Sequence, residues 1–121
     1  MTLSQDNITI ANRWFDAFNE HDLDKLLGLY NDDAEHYSPK LKIRLPGTNG
    51  MIRGKAALSA WWLDAFERLP TLQYFPETIT ANDERVFMEY VRKVENEPDM
   101  IVAEVLEIKD GLIIASRVYH G

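Results

Sequence analysis

A chain of 121 residues is long enough for one hydrophobic core and too short for two, so residues 1–121 are read as a single domain. Its 45% apolar and 27% charged residues fit a soluble globular protein, and with no apolar run longer than four residues it offers no membrane-spanning helix. A formal charge of −7 repels nucleic-acid phosphates on average, and the lack of cysteine excludes disulfides, thiolate nucleophiles and Cys-ligated metals.

The opening stretch "MTLSQDNITIANRW" has no basic residue before Arg13 and no apolar segment of signal-peptide length, so the protein is expected in the cytoplasm. Ile10, Ala11, Trp14, Phe15 and Phe18 recur at helical spacing and predict an amphipathic helix over 8–18, capped by Asp6 or Asn7. After His21, which reads as a solvated loop residue, Asp22 caps a second helix. In it Leu23, Leu26, Leu27 and Tyr30 share a face, and it ends near Asn31. A short strand is expected near 34–38. "KLKIR" then reads as an amphipathic strand over 41–45, with Leu41, Ile43 and Leu45 on one face and Lys42 and Arg44 in solvent. Gly47, Gly50 and Gly54 make the turn-rich segment 45–54 a candidate lid. A third helix follows Gly54, with Leu58, Trp61, Trp62, Ala65 and Phe66 as its apolar stripe and Pro70 as its stop. Trp61 and Trp62 are adjacent and cannot both face one core, so one of them looks into a cavity, a partner or solvent.

From Leu72 onward the pattern changes to four strand-like runs, "LQYFPETITA", "RVFMEYVRKV", "MIVAEVLEIK" and "LIIASRVYH". "ENEPD" separates the second from the third, and Asp110-Gly111 marks a tight hairpin between the third and fourth. Helices first and hairpin-linked strands afterwards imply an α+β domain, with three N-terminal helices on one face of a curved antiparallel sheet.

Period-2 alternation shows which polar residues point toward that core. In "MIVAEVLEIK", Glu104 is the only charge on the face of Met100, Val102, Leu106 and Ile108. A carboxylate held among apolar groups has its pKa raised, which suits it to acid or base chemistry unless Arg92 in the preceding strand neutralises it. The last run places Ile114, Ser116, Val118 and His120 on one face and Ile113, Ala115, Arg117 and Tyr119 on the other. His36 and Ser38 share a face of the first strand, where His36 is either a satisfied core histidine or a pocket base. His21, His36 and His120 lack metal-binding spacing, although His36 and His120 could join Glu104 in a two-histidine, one-carboxylate set. Neither a GxGxxG nor a GxxxxGK[ST] loop nor a GxSxG elbow is present, and no cofactor or metal is expected.

Three stretches, "RWFDAFNEHDLDKLLGLYNDDAEHYSP", "IRGKAALSAWW" and "EVLEIKDGLIIASRVYH", resemble in order and spacing the nuclear transport factor 2-like superfamily, in particular its SnoaL-like branch. The resemblance covers nearly the whole chain. It implies a cone of three helices wrapped by a strongly curved sheet, open at one end to a mostly apolar pocket, and a homodimer packed through the sheet. It also implies that His36 and Ser38 face the cavity, and it fixes no reaction, since members include polyketide cyclases, a steroid isomerase, dehydratases, hydrolases and proteins that only bind. The steroid isomerases place a tyrosine where this chain has Trp14 and a base aspartate where it has Ser38; only their penultimate-strand acid is matched, at Glu104.

Together these readings point to a cofactor-independent isomerase, cyclase or dehydratase acting by proton transfer on a small apolar or cyclic molecule. Glu104 would act as acid or base with help from His36 and His120, and Trp14, Tyr30, Ser38, Trp61, Trp62 and Val118 would shape the cavity. The alternatives are a ligand-binding domain without chemistry, and an assembly module in which Arg92 locks Glu104 inside a filled interior.

Overall fold

The computed structural model describes residues 2–120. The helical part comprises α1 (Leu3–Glu20), α2 (Leu23–Leu27), α3 (Pro39–Arg44) and α4 (Lys55–Arg68), with β1 (Tyr30–Tyr37), a 3-10 turn (Pro46–Thr48) and the short β2 (Met51–Arg53) between them. Then come β3 (Gln73–Ala81), β4 (Arg85–Lys93), β5 (Met100–Lys109) and β6 (Leu112–His120).

Helix α1 starts earlier than apolar spacing suggests, because Thr2 closes a capping box with Gln5. Gln5 N donates to Thr2 Oγ1 at 3.2 Å, and Thr2 N donates to Gln5 Oε1 at 3.1 Å. Asp6 and Asn7 are therefore not caps; Asn7 is buried and donates to the Asn82 carbonyl at 2.9 Å, tying α1 to the β3–β4 turn. His21 is not solvated either. It ends α1 in the left-handed conformation, its Nε2 lies 2.8 Å from the Leu72 carbonyl, and its ring stacks on Phe66 at 4.7 Å. Helix α2 stops at Leu27, and Tyr30 opens β1 instead of closing the helix.

The segment read as a 41–45 strand is helical. Ser38 caps α3 by accepting from Lys40 N at 3.2 Å, and Pro39 occupies the first turn, where its missing N–H costs nothing. Leu41 is buried, but Ile43 and Leu45 are exposed, so the apolar alternation has no buried face behind it.

The sheet runs β2-β1-β6-β5-β4-β3; β1 and β6 are parallel and the other pairs antiparallel. Strands β3 to β6 form the meander expected from the sequence. Its Asp110-Gly111 turn has φ of 53° and 78°, a geometry glycine adopts without steric cost. The register skips Glu77 in β3 and Ile114 in β6, bulges that sharpen the curvature. The second bulge also shifts the alternation: Ile113 and Ser116 both face the core and Ile114 does not, which strict period-2 counting misses.

The concave face holds the core. Against it α1 packs Ile10, Trp14, Phe15 and Phe18, and α4 packs Leu58, Trp62 and Phe66, each such burial contributing about 1.5–3 kcal/mol. On the convex face Phe75, Phe87, Ile101 and Tyr119 remain exposed.

Candidate active site

Cross-strand pairing builds the site in rows along the concave face. His36 lies beside Ser116, which pairs with Leu106. In the next row Val118 pairs with Glu104; beyond it His120 pairs with Val102 and Val102 with Tyr90; last come Met100, Arg92 and Tyr74. A cavity of about 320 Å³ runs over these rows. His36, Glu104, Tyr90 and Val118 line its floor, Phe18, Trp61, Trp62 and Tyr74 its walls, and Ser38, Lys40, Arg44, Arg68, Arg92, Glu97 and His120 its mouth beside α3 and the end of α4.

Glu104 is 2% exposed. Tyr90 donates its hydroxyl to Glu104 Oε1 at 2.9 Å, while Oε2 has no hydrogen-bond partner among the described residues. Burial pushes the carboxyl up to about 8, against the opposing pull of the Tyr90 bond. Arg92 does not lock Glu104. Its Nη1 pairs with Glu97 at 2.9 Å, because the register sets Arg92 opposite Met100 and leaves Met88 opposite Glu104. Tyr90 and Tyr74 are held protonated, their hydroxyls raised first by burial and then by the Glu104 charge. Tyr74 is positioned from α1: Asn19 Oδ1 accepts from Tyr74 N at 2.7 Å, and Asn19 Nδ2 donates to its carbonyl at 2.9 Å.

His36 is buried edge-on to Trp62, 5.4 Å between centroids, and burial lowers it to about 4, so it is neutral at pH 7. Its tautomer follows from a relay. Trp14 Nε1 donates to the Tyr30 hydroxyl at 3.1 Å, which donates to Ser116 Oγ at 3.1 Å, and Ser116 Oγ lies 2.7 Å from His36 Nδ1. An indole N–H only donates, so the Tyr30 proton goes to Ser116; Nδ1 is then the one acceptor left to the Ser116 hydroxyl among its side-chain bonds, and takes its proton. The ring proton of His36 is thereby placed on Nε2, giving the cavity a neutral N–H donor.

The sequence-derived residues thus separate by depth. His36, Glu104, Trp61, Trp62 and Val118 line the cavity, Ser38 and His120 border its mouth, and Trp14 and Tyr30 lie behind the wall as members of the relay. Of the adjacent tryptophans, Trp62 is the core residue, and half-buried Trp61 stands between this cavity and a cleft with Leu45, Ile52, Ala57 and Ala60. No residue of 45–54 lines the cavity; Met51–Arg53 is paired to β1, so the lid expectation falls and α3 edges the opening instead. Among the described residues no three His, Asp or Glu side chains group as metal ligands, and His36, His120 and Glu104 share the cavity without forming such a set. Tyr90 and Lys40 were missed by sequence reasoning. Tyr90 shares the inward alternation of Val86, Met88 and Arg92 and could have been found that way, whereas Lys40 was hidden by reading α3 as a strand.

Residues 11–116 match the profile of the SnoaL-like domain. The chain belongs to the SnoaL-like family. Its cone-shaped α+β architecture is that of the nuclear transport factor 2-like fold. A SnoaL-like protein of unknown function from Burkholderia thailandensis superposes with a TM-score of 0.85 at 25% identity, over 97% of this chain and 95% of that one. A candidate ketosteroid isomerase from Kribbella flavida gives 0.79 at 19% identity, over 100% and 82%. A candidate polyketide cyclase from Sinorhizobium meliloti gives 0.77 at 20% identity, over 92% and 94%. The last two likenesses show the fold alone. No curated protein sequence matches this chain.

Proposed function

We propose that this SnoaL-like protein is a cofactor-independent enzyme that moves a proton on a small apolar or cyclic carbonyl compound, with Glu104 as base and His36 as the donor to the carbonyl oxygen. The observation that carries this reading is the unpartnered Oε2 of a buried carboxyl in the floor of an aromatic-walled cavity. Tyr90 occupies Oε1 and so leaves Oε2 to react. The ionised carboxylate takes a proton from the carbon next to the carbonyl, and the electron pair moves to the carbonyl oxygen, which the His36 Nε2–H stabilises. Where the carbonyl is conjugated the dienolate takes the proton back from Glu104 at its far carbon, which is isomerisation; alternatively the enolate carbon attacks a second carbonyl of the same molecule and the resulting alkoxide takes the Glu104 proton, which is cyclisation. A base near 8 is well matched to neutral pH, because it accepts protons strongly and is still partly ionised there. A neutral imidazole donates here without the cost of a buried cation.

Solvent-deuterium incorporation into a panel of cyclic ketones, followed by NMR, tests this. Glu104→Gln should lower exchange at least about a hundredfold with the circular dichroism spectrum unchanged. Full exchange in that variant removes Glu104 from the mechanism. A ketone that binds tightly yet exchanges no faster than in buffer favours the ligand-binding alternative.

We also propose that a second copy covers the convex face. Phe75, Val91 and Ile101 form one cross-strand row there, with Phe87 and Tyr119 exposed nearby. Of the charges on this face, Arg117 and Arg85 reach Glu107 at 2.9 and 3.4 Å, and Glu89 accepts from the Thr78 hydroxyl at 3.2 Å, so most of its polar groups already have partners before a two-fold contact forms. Ile101→Lys should convert a dimer to a monomer in sedimentation; a monomeric wild-type protein sinks the idea.

A further inference from the structure

The protein is acidic, with a formal charge of −7, yet its cavity opens between four cations, Lys40, Arg44, Arg68 and Arg92. Two carboxylates answer them. Asp64 serves both Arg44, at 3.6 Å, and Arg68, at 2.7 Å, and Glu97 serves Arg92 at 2.9 Å. The Lys40 ammonium is half-buried and has no ion pair among the described residues. Arg92 is 5% exposed and lines the cavity, and the one bond it makes to a carboxylate among the described residues runs from Nη1, a single use of its five-N–H fork. Half-buried, unpaired positive charge is costly. Burial, and after it repulsion from Arg92, holds Lys40 below its ordinary range, with only Glu97 opposing. His120 at the same rim is likewise lowered by burial and then by Lys40 and Arg92.

We propose that the ligand is an organic anion, an apolar ring system whose carboxylate rests against Lys40 and Arg92 at the mouth while its far end meets Glu104 and His36. This rests on the reading of the cavity as a ligand site and adds the charge of what enters it. Arg92 pairs with Met100, four residues along β5 from Glu104, or roughly 13 Å of strand. A bicyclic ring system with a carboxylate at one end fits within that span. The uncompensated cations also focus a field that draws anions to an otherwise acidic protein.

Calorimetric titration with 2-naphthoate and with its neutral methyl ester tests the charge separately from the site. The acid should bind about tenfold or more tighter than the ester, as expected for a charged hydrogen bond at a partly dry site. Lys40→Gln should cut that advantage severalfold and leave ester affinity unchanged, while Lys109→Gln, on the far hairpin, should preserve it. Equal affinities for acid and ester in the wild type, or an advantage undiminished by Lys40→Gln, overturns the anion proposal and leaves the cavity a ligand site. Binding of neither compound overturns both.

Discussion

The floor and the mouth of the cavity treat charge in opposite ways. At the floor, burial drives both titratable groups toward neutrality: Glu104 rises to about 8 and His36 falls to about 4, each accepting one short hydrogen bond, from Tyr90 and from Ser116. At the mouth the cations outnumber the carboxylates: half-buried Lys40 has no ion pair among the described residues, and Asp64 is shared between Arg44 and Arg68. Residue type alone therefore says little about role in this protein. Depth along one sheet face decides whether a group can exchange protons near neutral pH or only attract an ion.

The largest expected break in this contrast is kinetic. Glu104→Gln should cost at least about a hundredfold in turnover, whereas Lys40→Gln should raise KM and leave kcat unchanged. In the wild type, kcat should climb with pH toward about 8 as Glu104 ionises, while His36 stays neutral throughout. A rate that falls over the same range would make Glu104 the acid instead of the base.

Next in size is the dependence of stability on pH. Between about 4.5 and about 8 native Glu104 keeps a proton that the unfolded chain has lost, so its contribution falls as pH rises. Between about 4 and 6.5 the unfolded chain binds a proton that native His36 refuses, so its contribution falls as pH drops. The two slopes oppose each other from about 4.5 to 6.5, and above that Glu104 acts alone, with a loss approaching about 1.4 kcal/mol per pH unit. Thermal unfolding of the wild type should drop between pH 6.5 and 8, and that drop should vanish in Glu104→Gln. A flat wild-type curve there would mean that Glu104 is ionised in the native state.

Much of the floor was legible in the sequence because strand alternation is a local signal. Glu104 stood alone on an apolar face, and the structure buries that face. What alternation cannot supply is register. Whether Arg92 meets Glu104 or Met100 depends on hairpin offset, and the Ile114 bulge reverses the phase of β6 midway. The mouth was far less legible. Lys40 sits in a one-turn helix set by a serine cap and a proline, where six residues carry too little periodicity to outvote an apparent strand. The relay was invisible for another reason: Trp14, Tyr30, His36 and Ser116 are up to 86 residues apart along individual bonds, and each has an ordinary core role when read alone.

The smallest expected effect tests that relay. Ser116 touches no ligand space and acts by placing the His36 proton, so it is a positioning residue. Ser116→Ala leaves the Tyr30 hydroxyl and His36 Nδ1 without their buried partner, which should cost about 1–3 kcal/mol of stability. Turnover should fall about twofold, because an imidazole free to choose its tautomer presents an acceptor to the carbonyl about half of the time. Lost packing alone would lower stability without touching the proton. Nitrogen-15 NMR of His36 separates the two: the wild type should show the proton on Nε2, Ser116→Ala a mixture, and Ser116→Thr, which keeps the hydroxyl, the wild-type pattern. A wild-type proton on Nδ1 would reverse the relay and turn His36 into an acceptor, and the donor role proposed for it would then pass to the neutral form of Glu104.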